Sequence, residues 1–353
     1  MKEVKLQEIC RIEKGKQIDT SQLRTDSPYK YINGGIKESG YYHEYNTDSE
    51  AVLVSEGGAS CGYVNYVNEK FWCGCHCYKL TESKTLAKYL YYALKGNQYK
   101  IMELRSGAAM PNIKKEVFKN MSLLVDFDKN NQQAIVETLD CIQKTINNKT
   151  DELSSLDELV KSRFIEMFGN PQINDKGFKT TKFINVVTLQ RGYDLPVNKR
   201  DNSGDIPVYG SNGLLGFHNQ AKIDQGIITG RSGTLGEVYM CDTPFWPLNT
   251  TLFSIDTHGN NLIYLQYLLI FYDLRRFASG AGVPTLNRNE FHDNEMISVP
   301  IELQNEFAEF VKLIDKSKFV CHSKNFLCDI FTFSSSTIAY PSVVSIFVCP
   351  KRC

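Results

Sequence analysis

One loop sequence occurs twice in this chain, and this repetition constrains the fold more than any other feature. SGAAMPNIKKEVF at 106–118 matches SGAGVPTLNRNEF at 279–291 in its serine, glycine, first alanine, proline and phenylalanine. Further segments match in the same order with small gaps, which indicates tandem duplication of one domain. They are 5–18 with 183–196, 28–46 with 206–220, 52–64 with 227–239, 71–80 with 245–254, and 89–94 with 264–269.

Each copy has the sequence pattern of a small α+β (mixed α/β) domain. Short segments rich in β-branched and aromatic residues alternate with glycine and asparagine turns such as NGG and SNG, which predicts strands. A helical pattern follows, and the repeated SGA loop comes next. Gly107 and Gly280 lie just past this helix, where glycine can adopt a positive φ. The prediction is a pseudo-symmetric pair of α+β domains.

Between the copies, residues 128–168 contain neither proline nor glycine and indicate one long helix. At ~1.5 Å per residue such a helix is roughly 60 Å long. Its apolar residues follow the spacing of a heptad seam, which favours a coiled-coil spacer joining the two domains over an ordinary core helix. The predicted seam residues, which would pack against a partner helix, are Ile135, Leu139, Ile142, Ile146, Leu153, Leu156 and Val160.

A second helix begins after the second copy, but its pattern ends near Phe319. Residues 303–319 parallel 131–146, whereas the serine-rich remainder has no heptads and contains four cysteines. We expect this tail to be disordered or the product of a shifted reading frame. The first helix would then expose its apolar seam, so the chain would dimerise, depend on a partner subunit or be a silent allele. The predicted boundaries are 1–127 (first domain), 128–170 (spacer helix), 171–301 (second domain), 302–319 (start of the second helix) and 320–353 (tail).

Composition narrows the class of protein. The 353 residues include 40 basic and 40 acidic side chains, so the formal net charge is zero. No apolar run approaches the ~20 residues of a membrane helix, and the N-terminus lacks a signal-peptide core. We therefore expect a cytoplasmic protein that does not contact membranes. An odd count of eleven cysteines favours reduced thiols over a disulfide framework.

Motifs for catalysis are weak. The chain has no G-x-x-x-x-G-K-[ST] phosphate loop and no Asn/Asp-Pro-Pro-aromatic stretch of an adenine methyltransferase. Glu82 and Lys84 form an E-x-K pair of the nuclease type, but no partner aspartate is apparent. We therefore predict no catalytic residue.

The segment CGCHC at 73–77 is the strongest candidate for a metal site. Cys73, Cys75 and Cys77 alternate as they would on one face of a strand, and with His76 they could bind zinc. A second ligand pair is missing nearby, so buried free cysteines are the expected outcome and no metal site is predicted.

The duplicated pattern resembles the specificity (S) subunit of type I restriction–modification systems. The resemblance is carried by EICRIEKGK and VVTLQRGYDLP, the glycine loops SEGGASCG and GRSGTLG, the repeated SGA loop, and LDELVKSRFIEMFGNP at the end of the long helix. It covers roughly residues 4–319, and the order and duplication of the motifs are more specific than any one of them.

This resemblance implies two target-recognition domains, each reading one half of a split sequence in double-stranded DNA, with the two long helices paired antiparallel. It also implies methyltransferase subunits, two of them, that methylate adenine with S-adenosylmethionine, and restriction (motor) subunits that use ATP and Mg. The chain itself would bind no cofactor and would not be an enzyme. A rod of roughly 60 Å suits half-sites one to two turns of duplex apart.

Residues that can read base edges lie at matching places in the two copies. Arg and Lys recognise guanine, and Asn and Gln recognise adenine, at about 1–3 kcal/mol per bidentate contact. Each such residue could also be a solvated charge or a turn former, and Arg231 could hold its glycine loop from inside. The candidates are Lys14, Lys16, Gln17, Asn33, Arg105, Asn112, Lys114 and Lys115 in the first copy, and Arg191, Tyr193, Asn212, Arg231, Arg276, Asn287 and Arg288 in the second.

The zero net charge bears on DNA affinity. Neutralisation of phosphates normally supplies much of the binding free energy, so we expect the isolated chain to bind DNA weakly and in a salt-sensitive manner. A tandem module for a protein or glycan ligand is the alternative of a different class.

Overall fold

The computed structural model describes residues 1–107, 110–201, 203–280 and 282–336, with side chains placed as far as Phe319. The chain divides into unit 1, Met1–Asn148, and unit 2, which begins at Lys149. This division falls inside one long helix, so each unit includes part of that helix. No described helix is both long and apolar enough to cross a membrane.

Unit 1 is built from short strands and helices followed by the first half of the long helix. Its elements are β1 (Lys2–Lys5), α1 (Leu6–Ile9), β2 (Arg11–Lys14), β3 (Tyr29–Ile32), β4 (Gly40–Tyr42), β5 (Ala51–Ser55), β6 (Val64–Val67), β7 (Phe71–Cys73), β8 (Cys77–Thr81), α2 (Ala87–Gly96), α3 (Gln98–Glu103), α4 (Lys115–Lys119), β9 (Ser122–Val125) and α5 (Lys129–Phe168).

Unit 2 repeats this series after the end of α5. Its elements are β10 (Thr180–Lys182), α6 (Phe183–Val186), β11 (Thr188–Arg191), β12 (Ile206–Gly210), β13 (Gly213–His218), β14 (Gly226–Gly230), β15 (Val238–Cys241), β16 (Trp246–Pro247), β17 (Thr251–Asp256), α7 (Leu262–Tyr272), β18 (Ala278–Ser279), β19 (Thr285–Leu286), β20 (Glu295–Ile297) and α8 (Ile301–Ser336).

The two units have the same sheet topology. In unit 1 the strand orders are β2-β8-β5-β6 and β4-β3-β7, and β1 pairs with β9. In unit 2 they are β11-β17-β14-β15 and β13-β12-β16, and β10 pairs with β20. A parallel strand pairing also recurs, between β3 and β7 and between β12 and β16. The predicted fold class, a tandem pair of α+β domains with a long helix between them, is confirmed.

One inner strand of each four-stranded sheet, β5 in unit 1 and β14 in unit 2, is buried on both faces. In unit 1, Val52 packs in a core with α2, and the next residue, Leu53, packs on the opposite face. In unit 2, Ile227 and Ile228 divide between two cores in the same way. Successive side chains of a strand point to opposite faces, so a strand between two apolar layers reads as a continuous apolar run.

The long helix α5 contributes to the cores of both units. Val136 is buried in the unit 1 core and Ile135 packs against it, while Phe164 and Phe168 are fully buried in unit 2. The heptad spacing therefore accounts for only part of the buried face of α5. Of the predicted seam residues, Leu139 and Val160 are buried, Ile135, Ile142, Leu153 and Leu156 are half-buried, and Ile146 is exposed.

Helix α8 pairs with the second half of α5 inside unit 2. Arg163 forms an ion pair with Glu306 at 3.0 Å, and Asp157 forms one with Lys318 at 2.7 Å. Residue numbers rise along α8 as they fall along α5, so the two helices run antiparallel, as the resemblance implies.

The prediction that the second helix ends near Phe319 is wrong, because α8 continues to Ser336. Residues 301–336 contain no glycine or proline, so nothing in the backbone chemistry ends the helix where the heptads stop. The part of the predicted tail at 337–353 lies outside the described residues, and the shifted-frame hypothesis stays a prediction.

A buried glutamine joins the start of each long helix to the body of its unit. In unit 1, Gln132 Oε1 accepts from the backbone N–H of Leu86, which precedes α2, at 2.8 Å, and its Nε2 donates to Asp126 O at 2.7 Å. In unit 2, Gln304 Oε1 accepts from the N–H of Asn261, which precedes α7, at 2.9 Å. The duplication therefore extends into both long helices.

Candidate nucleic-acid interface

Four segments that are distant in sequence meet in each unit. We call them the strand-end turn, the glycine loop, the linking segment and the repeat loop. They cover 14–17, 56–62, 73–77 and the described residues of 106–113 in unit 1, and 191–194, 231–236, 247–251 and the described residues of 279–286 in unit 2.

The strand-end turn needs glycine in both units. A Cβ on Gly15 would lie 2.2 Å from the carbonyl oxygen of Gly74, and one on Gly192 would lie 2.2 Å from that of Leu248. No side chain fits at that distance, so the turn lies directly against the linking segment. The hydrogen bonds that hold it are Gly15 N to Cys77 O (3.2 Å), Lys16 N to Cys73 O (2.8 Å), Gly192 N to Thr251 O (3.1 Å) and Tyr193 N to Pro247 O (2.8 Å).

The matched glycines of the two repeat loops share one backbone conformation. Gly107 has φ +95° and Gly280 has φ +106°, which confirms the predicted positive φ at both positions. A Cβ on either glycine would lie 2.9 Å from a carbonyl oxygen three residues later, that of Met110 or Val283. The matched glycines therefore set the shape of the loop.

The glycine loop joins the repeat loop to the linking segment by equivalent bonds. Each unit has one bond from the glycine loop to the proline carbonyl of the repeat loop, one from the repeat loop back to the glycine loop, and one to the linking segment. They are Gly58 N to Pro111 O (3.0 Å), Ile113 N to Glu56 O (2.9 Å) and Glu56 N to His76 O (2.8 Å) in unit 1, and Gly233 N to Pro284 O (3.3 Å), Leu286 N to Arg231 O (2.8 Å) and Arg231 N to Thr250 O (2.8 Å) in unit 2.

Glu56 is a buried charge that the sequence did not single out. Its carboxylate forms an ion pair with Lys14 at 2.7 Å and lies 3.2 Å from the Tyr78 hydroxyl, which also donates to Ile113 O at 2.8 Å. Burial and the adjacent negative charge of Glu56 raise the pKa of Tyr78. The matching position in unit 2 is Arg231, so the two clusters differ in charge at the same backbone site.

The predicted DNA-contacting residues of unit 1 divide into exposed and engaged side chains. Lys16, Lys114 and Lys115 are exposed and form no ion pair with another described residue. Asn33 is engaged, because its Oδ1 accepts from His76 N at 3.1 Å, and Arg105 donates to Met102 O at 2.6 Å at the end of α3. The remaining candidates are exposed: Lys14 pairs with Glu56, Gln17 accepts from the Cys75 thiol at 2.9 Å, and Asn112 pairs through its backbone with Ser106.

In unit 2 more of the candidates support the local structure. The Tyr193 ring packs against Phe253 and Trp246, with centroids 5.7 and 6.5 Å away. Arg231 donates to Asn249 O at 3.4 Å, as expected if it holds its loop from inside. The others are placed as follows: Arg276 lies over the Tyr272 ring at 4.1 Å, Asn287 accepts from Asn289 N at 3.2 Å, Arg288 donates to Leu189 O at 3.3 Å, Arg191 lies 3.6 Å from Asp194, and Asn212 is exposed.

The family model for the type I restriction modification DNA specificity domain matches residues 1–158 and again residues 175–324. The chain belongs to this family. Each match contains one complete set of the four segments. DNA sequence recognition is thus the function of this specificity chain, and the alternative of a tandem module for another ligand is not supported.

Known proteins agree with this assignment. The specificity chain is 27% identical over 277 residues to "Putative type I specificity subunit S.MgeORF438P" of Mycoplasma genitalium, covering 72% of this chain and 70% of that one. It is 27% identical over 217 residues to "Putative type I specificity subunit S.MpnORF638P" of Mycoplasma pneumoniae, covering 58% and 57%. The crystal structure of the type I restriction-modification system S subunit from M. genitalium shares the fold, with a TM-score of 0.66 at 20% identity over 98% of this chain and 96% of that one.

A cavity of about 480 Å³ lies beside the strand-end turn of unit 2 in this specificity chain. Asn212 lines it, together with Arg200, Leu215 and Asn249, which the sequence did not single out. Asn212 and Leu215 belong to the β12–β13 hairpin, whereas Arg200 and Asn249 lie in other segments, and no local pattern marks the three segments as neighbours. An open, mixed polar and apolar site of this kind suits the edge of a base.

The CGCHC segment of the specificity chain is only partly buried, with His76 exposed. Cys73 and Cys77 are buried with Phe71, and Cys75 is half-buried. The hydrogen bond with Cys77 and burial raise the pKa of the Cys73 thiol. Among the described residues, no three His, Cys, Asp or Glu side chains are grouped as metal ligands.

Proposed function

We propose that unit 1 and unit 2 each read one half of a bipartite sequence in double-stranded DNA. The observation that carries this proposal is the repetition of one four-segment frame, bond for bond, with different exposed side chains. Shared backbone geometry is what a common docking mode requires, and different side chains are what two different half-sites require.

Base contacts would come from the exposed polar residues around the frame. In unit 1 these are Lys16, Lys114 and Lys115, whose ammonium groups can donate to guanine or pair with phosphate. In unit 2 they are Arg191 and Asn212, with Arg200 at the adjacent cavity. The buried or stacked candidates, such as Tyr193 and Arg276, would hold the frame and would not touch bases.

The chain would act only through partner subunits. Two methyltransferase subunits carrying S-adenosylmethionine would methylate adenine within the target, and restriction subunits would use ATP and Mg for cleavage. This arrangement rests on family membership together with the absence of catalytic motifs from the sequence. We further propose that the chain works in the cytoplasm, where it meets the chromosome.

Methylome sequencing tests the proposal directly. The chain is expressed with its methyltransferase subunits in a host that lacks other adenine methylation, and modified adenines are mapped. We expect a split motif whose two parts flank an unspecified spacer. Replacing Lys114 and Lys115 by alanine should change one part only, and replacing Asn212 should change the other. A continuous motif, no modification at all, or changes in both parts would contradict the assignment.

Salt dependence tests the role of the partners. With net charge zero, the isolated chain should bind a target duplex weakly, and binding should fall as salt rises. Addition of the methyltransferase subunits should raise the affinity at a fixed salt concentration. Equal affinity with and without these subunits would contradict the division of labour proposed here.

A further inference from the structure

The tip of the repeat loop carries an exposed apolar side chain in both units. Met110 is 79% exposed and its counterpart Val283 is 61% exposed. Large apolar side chains of a folded domain are mostly buried, and isolated exposed ones need no explanation. An exposed apolar residue at the same position of both copies is a different matter, because duplication has kept its chemical character while the residue changed.

Backbone hydrogen bonds anchor the loop on both sides of Met110. Ser106 and Asn112 exchange backbone hydrogen bonds of 2.9 Å in both directions across the base of the loop. Gly107 lies against the carbonyl of Met110, and the carbonyl of the next residue, Pro111, accepts from the glycine loop. Proline also restricts the residue before it to extended conformations. Backbone contacts therefore tie both ends of the loop to the frame.

Equivalent contacts support the tip in unit 2. Ser279 pairs with Thr285 across the base of the loop, and Gly280 lies against the carbonyl of Val283. The carbonyl of Pro284 accepts from Gly233 at 3.3 Å. The two apolar tips thus occupy the same place in the same frame.

The charge around both tips favours DNA as the occupant. Residues 103–116 contain Arg105, Lys114 and Lys115 against two glutamates, and residues 273–290 contain three arginines against Asp273 and Glu290, with Arg275 paired to Asp273 at 2.7 Å. The whole chain is neutral, so these loops are locally basic and complement phosphate. A methyltransferase subunit that covered the tips would have to bring acidic residues to both places.

We propose that Met110 and Val283 each make an apolar contact with the 5-methyl group of a thymine in the major groove, one in each half-site. This methyl group is the apolar feature that distinguishes A·T pairs in the groove, and apolar side chains recognise it. The inference rests on the proposed function. If adenine is the methylated base, a half-site that carries a methylated adenine also presents a thymine opposite it.

The test replaces single thymines by deoxyuridine, which removes only the 5-methyl group. Once the motif is mapped, binding of the full chain with its methyltransferase subunits is measured on duplexes carrying one such replacement at a time. One position in each half should weaken binding about fourfold, the effect of one buried methyl group. Met110→Ala should abolish this sensitivity in one half only, and Val283→Ala should abolish it in the other.

Matched variants separate this contact from general effects. Leu124→Ala and Ile255→Ala remove exposed apolar side chains elsewhere in units 1 and 2 and should keep wild-type sensitivity to deoxyuridine. Equal sensitivity of Met110→Ala and wild type at every position would overturn the inference. Loss of methyltransferase capture by Met110→Ala with an unchanged motif would also overturn it and assign the tip to a protein contact. Absence of any split motif for the wild-type complex would instead refute the proposed function itself.

Discussion

Gln304 offers a sharp test of how the second long helix is attached to its unit. The side chain is 1% exposed and makes hydrogen bonds with Asn261 N (2.9 Å), Asn260 Oδ1 (2.7 Å) and Val299 O (2.8 Å). Gln304→Leu keeps the approximate size of the side chain but removes every polar atom. It leaves the N–H before α7 and the Val299 carbonyl without their partner.

The expected magnitude follows from those two groups. An unsatisfied buried backbone group costs about 1–3 kcal/mol, so two cost about 2–6 kcal/mol. The larger apolar surface of leucine returns roughly 1–2 kcal/mol. We expect a net loss of about 2.5 kcal/mol, within a range of about 0–5 kcal/mol, in the free energy of unfolding of unit 2. For a unit of this size each kcal/mol lowers the melting temperature by about 2–4 °C.

The assay has to resolve the two units, because a chain with two units does not have one well-defined unfolding equilibrium. Hydrogen exchange followed by mass spectrometry of the full chain separates peptides of α7 from peptides of unit 1. Protection should fall in unit 2 only. Gln132→Leu, which removes the equivalent bonds to Leu86 and Asp126, should have the converse effect.

Asn305→Ala provides a neighbouring control. Its amide oxygen accepts from Asn261 Nδ2 at 2.9 Å on an exposed surface, so the change should stay within about 0.5 kcal/mol. If Gln304→Leu were as stable as this control, the buried glutamine would not join α8 to the unit. If unit 1 lost protection to the same extent as unit 2, the independence of the two cores would be wrong.

Three further results are expected. Gly15→Ala should destabilise unit 1, and Gly192→Ala should destabilise unit 2, each by about 1–3 kcal/mol. The added Cβ meets a backbone carbonyl that cannot move without breaking the turn. Wild-type hydrogen-exchange rates in both variants would contradict this turn geometry. Phe164→Ala should lower the free energy of unfolding of unit 2 by about 3–5 kcal/mol in thermal unfolding, because it leaves a cavity among five aromatic rings. Ile165→Ala, at an exposed position, should lower it by less than about 1 kcal/mol. Burial and a nearby arginine lower the pKa of His292. Its contribution to stability is therefore complete above the unfolded pKa of about 6.5 and is lost as pH falls through that value toward the folded pKa. His292→Gln should reduce the loss of unit 2 stability between about pH 7.5 and 5.5, and an unchanged pH profile would argue against this residue.

The parts of the fold that sequence predicted are those fixed by local backbone chemistry. Gly107 and Gly280 were expected at positive φ as helix C-terminal glycines, and both adopt it. The reason was wrong, because α3 ends at Glu103 and α7 at Tyr272, so that both glycines belong to the repeat loop itself. Alternating apolar strands and glycine turns predicted an α+β unit twice, and matching order predicted one topology twice. Local rules succeed here because glycine and proline act on their own neighbours, whatever the rest of the chain does.

Side-chain roles were harder to predict because they depend on contacts with distant segments. Glu56 looks like any surface carboxylate in sequence, yet it is buried against Tyr78 and Lys14. Tyr193 follows a glycine in an apparent turn, yet its half-buried ring packs against an apolar core. Phe164 does not occupy a heptad seam position, yet it is among the most deeply buried residues. Exposure is decided by tertiary packing, which spacing along one segment does not report.

The backbone framework and the proposed base-contacting side chains can vary separately, because backbone groups form the first and side chains the second. The four-segment cluster is joined mainly by backbone hydrogen bonds, which persist when a side chain changes, and its glycines are required only where a Cβ would collide. Positions such as Glu56 and Arg231 can therefore carry opposite charges on one backbone bond pattern. Since each unit also has its own core and its own buried glutamine, we expect a substitution in one cluster to leave the bonds of the other intact. Two recognition surfaces built in this way can diverge independently, which is the physical requirement for reading two unrelated half-sites with one duplicated domain.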